Sequence, residues 1–152
     1  WVDVGSSYLM NDVSAAYLWG NLEKADEINE DRLSTWQKYY DGLKELTNKS
    51  LIELPTIPDG CVHNAHMFYV KVKDLETRTE LLEHLKQNDI LAVFHYIPLH
   101  SAPAGLKFGR FDGADEFTTS ESERLIRLPM YYNLNIKEIN QIIITIKEYF
   151  GK

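Results

Sequence analysis

The chain has 152 residues with 23 acidic against 16 basic side chains, a formal charge of −7, and apolar residues make up 44% of it. That length suits one domain with a real core, and the mixture is too apolar for a disordered tail yet lacks the long uncharged run of a membrane span. The acidic balance argues against a general nucleic-acid binder, because no basic stripe is available to displace counterions from phosphates.

The first ten residues read as a loop carrying Gly5, Ser6, Ser7 and Tyr8, after which Asn11 or Asp12 can cap a helix. From Val13 to about Leu46 there is no proline, and Leu18, Leu22, Ala25, Ile28, Leu33, Trp36, Tyr40, Leu43 and Leu46 trace one helical face in steps of three and four. An unbroken helix of that length spans roughly 50 Å at about 1.5 Å per residue. A compact domain of this size is only about 40 Å across. The helix must therefore bend, near Gly20 or Ile28-Asn29, or pack against protein outside this chain. The bulky apolar Tyr17, Leu18 and Trp19 on more than one side of the early turns favour the second.

A short extended piece at Leu51 to Leu54 is closed by Pro55, Pro58 and the turn Asp59-Gly60. His66 to Val72 alternates and is rich in strand formers, so it predicts a strand. Thr77 to Gln87 follows as a helix, then a strand over Leu91 to Tyr96 and a long loop from Pro98 to Gly113. The last elements are a helix from about Glu116 to Leu125, a short strand at Ile126-Arg127-Leu128 ended by Pro129, and a helix capped by Asn135. Ile139, Ile142, Ile143, Ile146, Tyr149 and Phe150 form the apolar face of that last helix. The order predicts an α+β chain: a long helical arm, then a small sheet covered by helices.

Cys61 is the single cysteine, which excludes an internal disulfide and suits a reducing cytoplasm. Cys61, His63 and His66 have a metal-like spacing, but no second ligand pair lies at a matching interval, so no metal site is expected. The segment Phe94-His95-Tyr96-Ile97-Pro98-Leu99-His100 is sharper: two imidazoles and a phenol at a strand end, where a loop can present them to phosphate or sugar oxygens. A strand end with one packed and one solvated histidine is the equally weighted alternative. No Gly-x-Ser-x-Gly elbow, activated cysteine or phosphate-binding glycine loop occurs, and Asp112, Asp115 and Glu116 read as solvated loop acids. No residue of this chain is therefore expected to be catalytic.

Several ordered segments together resemble the DegT/DnrJ-type sugar aminotransferases. They are Gly5-Ser6-Ser7-Tyr8-Leu9-Met10 with Val13-Ser14-Ala15-Ala16, Asn64-Ala65-His66-Met67-Phe68-Tyr69-Val70, His95-Tyr96-Ile97-Pro98-Leu99-His100, Ser122-Glu123-Arg124-Leu125 and Leu128-Pro129-Met130-Tyr131. The resemblance covers essentially the whole chain. It implies the small C-terminal domain of a fold-type-I pyridoxal-phosphate enzyme, with a mostly antiparallel sheet, acting on a dTDP-linked keto sugar with glutamate as amino donor. The cofactor is the electron sink, held as a Schiff base by a lysine. No lysine here sits in the family's cofactor-lysine context, and the chain opens at Trp1-Val2-Asp3-Val4 without an initiator Met, so we expect an excised piece of a longer polypeptide.

On that resemblance, residues 1–48 are a loop plus linking helix and residues 49–152 the small domain. Ser7, with Ser6 as a substitute, takes the place of a family Asn that reaches the cofactor phosphate of the neighbouring subunit. Leu9 replaces a family Arg. His95, Tyr96 and His100 match the segment lining the sugar-nucleotide site. The partners implied are a large N-terminal domain and a second subunit, with neither nucleic acid nor membrane. The competing expectation is a non-catalytic sugar-nucleotide-binding or dimerisation module.

Overall fold

The computed structural model describes residues 9–151. Its elements run α1 (Asp12–Leu22), α2 (Ala25–Asn48), β1 (Phe68–Lys71), α3 (Leu75–Gln87), β2 (Val93–Phe94), α4 (Pro103–Phe108), α5 (Thr118–Arg124), β3 (Leu125–Leu128) and α6 (Ile136–Phe150). The sheet has the order β1-β3-β2 with both pairings antiparallel, so the chain is α+β. Alternation decides which face is covered. Phe68, Val70, Ile126 and Leu128 are buried, while Tyr69, Lys71, Leu125 and Arg127 between them are half-buried on the other side.

The helices pack on the buried face. In α2 the apolar spacing seats Trp36, Tyr39, Leu43 and Leu46 in the core, and in α6 it does the same for Ile139, Ile142, Ile143 and Ile146. The two helices approach closely at Gly42, where an added Cβ would come within 2.6 Å of Ile143 Cδ1. Burial pushes the Tyr39 phenol up, so it keeps its proton and donates to the Pro129 carbonyl oxygen at 2.9 Å, fixing the end of β3. α6 starts on a capping box in which Asn135 accepts from the Lys137 N–H and the Glu138 side chain accepts from the Asn135 N–H.

Away from the core, two carboxylates alternate with two cations. Lys71 Nζ lies 2.8 Å from both Glu53 and Glu121, and Arg124 pairs with Glu53 and, at 3.0 Å, with Glu121. Arg124 Nε also donates to the Val72 carbonyl at 2.8 Å. This knot ties the segment bridging at Glu53 and Lys71 to the end of β1 and to α5.

The long helix differs from the expectation in where it breaks. It is interrupted at Glu23-Lys24, where the Lys24 N–H turns back to Asn21, not at Gly20 or Ile28-Asn29. Asn11 caps α1 by accepting from the Ser14 N–H at 2.9 Å. α1 contributes no buried residue: Val13, Tyr17, Leu18, Trp19 and Leu22 are between 44% and 81% exposed. β2 is shorter than the predicted Leu91–Tyr96: only Val93 and Phe94 pair with β3, opposite Arg127 and Ile126. The predicted loop from Pro98 holds α4, with Pro103 in its first turn, where the missing N–H costs nothing.

Candidate functional site

β2 delivers the chain to the open edge of the sheet, and the next residue is His95. Its half-buried ring stands edge-on to that of Tyr96, with centroids 3.7 Å apart and planes at 84°. Tyr96 is 67% exposed, so its phenol faces solvent. Burial first, then the Arg127 guanidinium and, least, the nearby His66 ring hold the His95 imidazole below the ordinary histidine range. At neutral pH it is therefore the neutral ring, able to donate from one nitrogen and accept at the other. Arg127 sits on the outward face of β3, opposite Tyr69 on one side and Val93 on the other. Its buried Nε has no hydrogen-bond partner among the described residues.

His100 belongs to a second cluster. Its Nε2 lies 2.9 Å from Asp115 Oδ2, and both side chains are about four-fifths covered, at 19% and 22% exposure. Asp115 in turn accepts from the Thr119 N–H at 3.2 Å and from the Thr119 hydroxyl. The Thr119 hydroxyl, with lesser help from His100, holds the Asp115 carboxyl below its usual range. The Phe111 ring lies 4.6 Å from the His100 ring. Together Leu99, His100, Ala104, Phe108, Arg110 and Phe111 line a groove of about 510 Å³. The floor depends on Gly105: an added Cβ would sit 1.6 Å from the Leu99 carbonyl oxygen, so α4 rests directly on the preceding turn.

The structure thus brings His95 against Tyr96, and places His100 in a separate pocket with a partner that sequence reasoning took for a solvated acid. Asp115 is the residue missed. Its signal was weak, an acid four residues before a threonine at a helix start. Ser6 and Ser7 lie outside the described residues. Cys61 is exposed, while His63 packs its ring 4.6 Å from Trp36 and accepts from the Ala65 N–H, so these two serve different ends. Among the described residues, no group of three or more metal-binding side chains converges, and no helix is long and apolar enough to cross a membrane. A second, apolar groove of about 590 Å³ lies between the end of α3 and the start of α6, and none of His95, Tyr96 and His100 lines it.

Comparison with known proteins decides the family. The model of the DegT/DnrJ/EryC1/StrS aminotransferase family matches residues 1–147. The chain belongs to this family. It is 29% identical over 146 residues to the dTDP-3-amino-3,4,6-trideoxy-alpha-D-glucose transaminase of Micromonospora megalomicea subsp. nigra, covering 95% of this chain and 38% of that protein. Among solved structures it superposes on DesV of S. venezuelae, crystallised in complex with a ketimine intermediate. The TM-score is 0.80 at 27% identity, over 91% of this chain and 36% of DesV. The aminotransferase TlmJ of Streptoalloteichus hindustanus shares the fold, with a TM-score of 0.85 at 20% identity over 99% of this chain and 39% of TlmJ. The chain therefore spans a little over a third of the length of the relatives it matches.

Proposed function

We propose that this chain is the C-terminal portion of a pyridoxal-phosphate-dependent sugar-nucleotide aminotransferase. It would move an amino group from glutamate to the 4-keto carbon of a dTDP-linked 6-deoxy sugar. Residues 1–48 form the loop and linking helix of that enzyme and residues 49–152 its small domain. The carrying observation is the family match over residues 1–147, with His95 and Tyr96 standing at the sheet edge and His100 in a groove of its own. Within the family, Gly5-Ser6-Ser7-Tyr8-Leu9 and Ile57-Pro58-Asp59-Gly60-Cys61 are most like the enterobacterial dTDP-4-keto-6-deoxyglucose aminotransferase. On that reading the work is cytoplasmic, in a homodimer, and feeds lipopolysaccharide or enterobacterial common antigen synthesis.

The described side chains suit a wall of such a site, and the coenzyme's anchor has to come from elsewhere. The groove is lined by imidazole, guanidinium and aromatic groups, with no lysine among its lining residues. Bound pyridoxal phosphate would supply the electron sink for transamination. Ser7, or Ser6, would donate a hydroxyl hydrogen bond to its phosphate across the subunit boundary. His95, Tyr96 and His100 position the sugar nucleotide: a neutral imidazole and a phenol can each donate to and accept from hydroxyls.

The test is binding by the full-length enzyme. His95→Ala and His100→Ala should each weaken dTDP-sugar affinity by about tenfold, the scale of one lost, partly buried hydrogen bond. Unchanged affinity in both would remove the substrate role. The exposed apolar face of α1 favours one other reading, a dimerisation module without chemistry. The reading frame upstream of Trp1 separates the two, since a cofactor-lysine motif there requires the enzyme.

A further inference from the structure

His100 has two ring nitrogens, and the fold commits one of them. Nε2 lies 2.9 Å from Asp115 Oδ2, and an ionised carboxylate can only accept. The carboxylate is itself fixed at the start of α5, because both the N–H and the hydroxyl of Thr119 donate to it. Although Thr119 Oγ1 is 3.4 Å from His100 Nε2, its proton is directed at Asp115, so it does not offer that nitrogen a donor. The Nε2 proton is thus held in place whether the ring is neutral or charged. Nδ1 has no protein partner among the described residues.

We propose that Asp115 is a positioning residue that sets the tautomer of His100 and turns Nδ1 into the nitrogen that reads a hydroxyl of the bound sugar nucleotide. This rests on the substrate role proposed above for His100. The chemistry selects the ligand group. A neutral ring with its proton on Nε2 presents Nδ1 as an acceptor, which suits a hydroxyl and repels a phosphate oxygen. A hydroxyl can also accept, so it stays a partner when the ring gains a second proton, whereas phosphate is served only by the charged ring. The surroundings fit a sugar nucleotide in a second way. Phe108 and Phe111 give the groove flat apolar walls, and Arg110 places a cation at its rim for the diphosphate. A plain loop staple between His100 and Asp115 would fix the same tautomer but would leave ligand affinity unmoved when the tautomers mix.

The test reads the tautomer directly, by long-range proton–nitrogen correlation on the intact protein labelled with 15N-histidine. In the wild type, His100 should show a protonated Nε2, and in the neutral ring an unprotonated Nδ1. Asp115→Asn, whose amide can present either an acceptor or a donor, should mix the tautomers and weaken dTDP-hexose binding about threefold. Asp115→Glu should restore the wild-type signature, which separates the effect from a damaged loop. Binding of dTDP alone distinguishes the two hydroxyl sources. A loss in Asp115→Asn for both ligands points to the deoxyribose, and a loss for dTDP-hexose alone points to the hexose. A wild-type ring protonated at Nδ1 and not at Nε2 would overturn the assignment without any variant. Unchanged tautomer and affinity in Asp115→Asn, with affinity lost in His100→Ala, would overturn the assignment alone. Unchanged affinity in His100→Ala would remove the substrate role on which it stands.

Discussion

Replacing Gly105 by alanine tests whether the His100 pocket is held by α4. The new Cβ would lie 1.6 Å from the Leu99 carbonyl oxygen, 2.7 Å from its carbonyl carbon and 3.5 Å from the His100 nitrogen. A carbon and a carbonyl oxygen settle at about 3.3 Å or more, so at least about 1.7 Å of separation must be gained. None of the crowded atoms belongs to a flexible side-chain end; all are backbone of the turn that carries His100. The Nε2–Oδ2 contact is 2.9 Å long and has little reserve, since a lengthening of well under an ångström takes the two atoms out of hydrogen-bonding range. Overpacking in a core costs about 1–3 kcal/mol. Here the strain has an outlet, because α4 contains no buried residue and can lift away without opening the core.

Gly105→Ala should therefore lower global stability by about 1 kcal/mol or less, a shift of roughly 2–4 °C in Tm. It should nevertheless abolish the His100–Asp115 pairing. Calorimetry gives the first quantity. Histidine nitrogen shifts and amide exchange over residues 99–109 give the second. An alanine variant with native His100 shifts and native protection would refute the close contact between α4 and the turn. A loss of several kcal/mol would instead show that α4 is part of the cooperative core.

Three further outcomes follow from the packing and the charges. Tyr39→Phe should cost about 1–2 kcal/mol in denaturant unfolding, because it strands the Pro129 carbonyl beside a fully buried ring; a neutral result would mean that water reaches that oxygen. The Lys71 hydrogen bond, first among several causes, holds both Glu53 and Glu121 below the usual glutamate range. Their folded-state values are depressed, so their contribution is complete above the ordinary glutamate pKa of about 4.3 and fades as pH falls through the folded values. Both carboxylates are about half exposed, so water screens the gain to under about 1 kcal/mol per pair. The wild type's stability lead over Glu53→Gln/Glu121→Gln should shrink between pH 7 and pH 3, and a lead that grows would contradict the sign. Finally, the 152-residue chain should self-associate through α1, and Tyr17→Glu/Trp19→Glu should reduce that association in sedimentation velocity. A wild type that stays monomeric at high concentration would count against it.

Elements whose signals are local were legible in the sequence. α6 shows it best: Asn135 and Glu138 cap its start, and isoleucines at steps of three and four bury one face. β1 and β3 were placed to within a few residues, because their strand formers alternate and Pro129 ends the second. The break at Glu23-Lys24 was not legible. Neither glycine nor proline marks it, and the expected bend sites rested on residue type alone. Length was misjudged in β2: strand formers run on from residue 91 to 96, but only Val93 and Phe94 pair with β3, and residue type alone does not mark where that pairing stops. α4 was hidden by its own punctuation, since Pro103, Gly105 and Gly109 read as loop until the proline is seen to open a helix and Gly109 to close it.

The candidate site divides along the same line. Two imidazoles and a phenol within six residues could be singled out from the sequence, because their chemistry lies in the residue types themselves. What each does depends on neighbours that sequence distance conceals. His95 is made a poor cation by burial and then by Arg127 and His66, which lie on the neighbouring strand β3 and just before β1. His100 meets Asp115 only because the intervening stretch folds through α4 and returns at α5, and that return depends on Gly105 having no side chain. Two histidines five residues apart thus occupy electrostatically opposite surroundings, one near a guanidinium and one beside a carboxylate. On the proposed reading, the neutral ring at the sheet edge and the oriented ring in the groove would each meet hydroxyls of the sugar nucleotide.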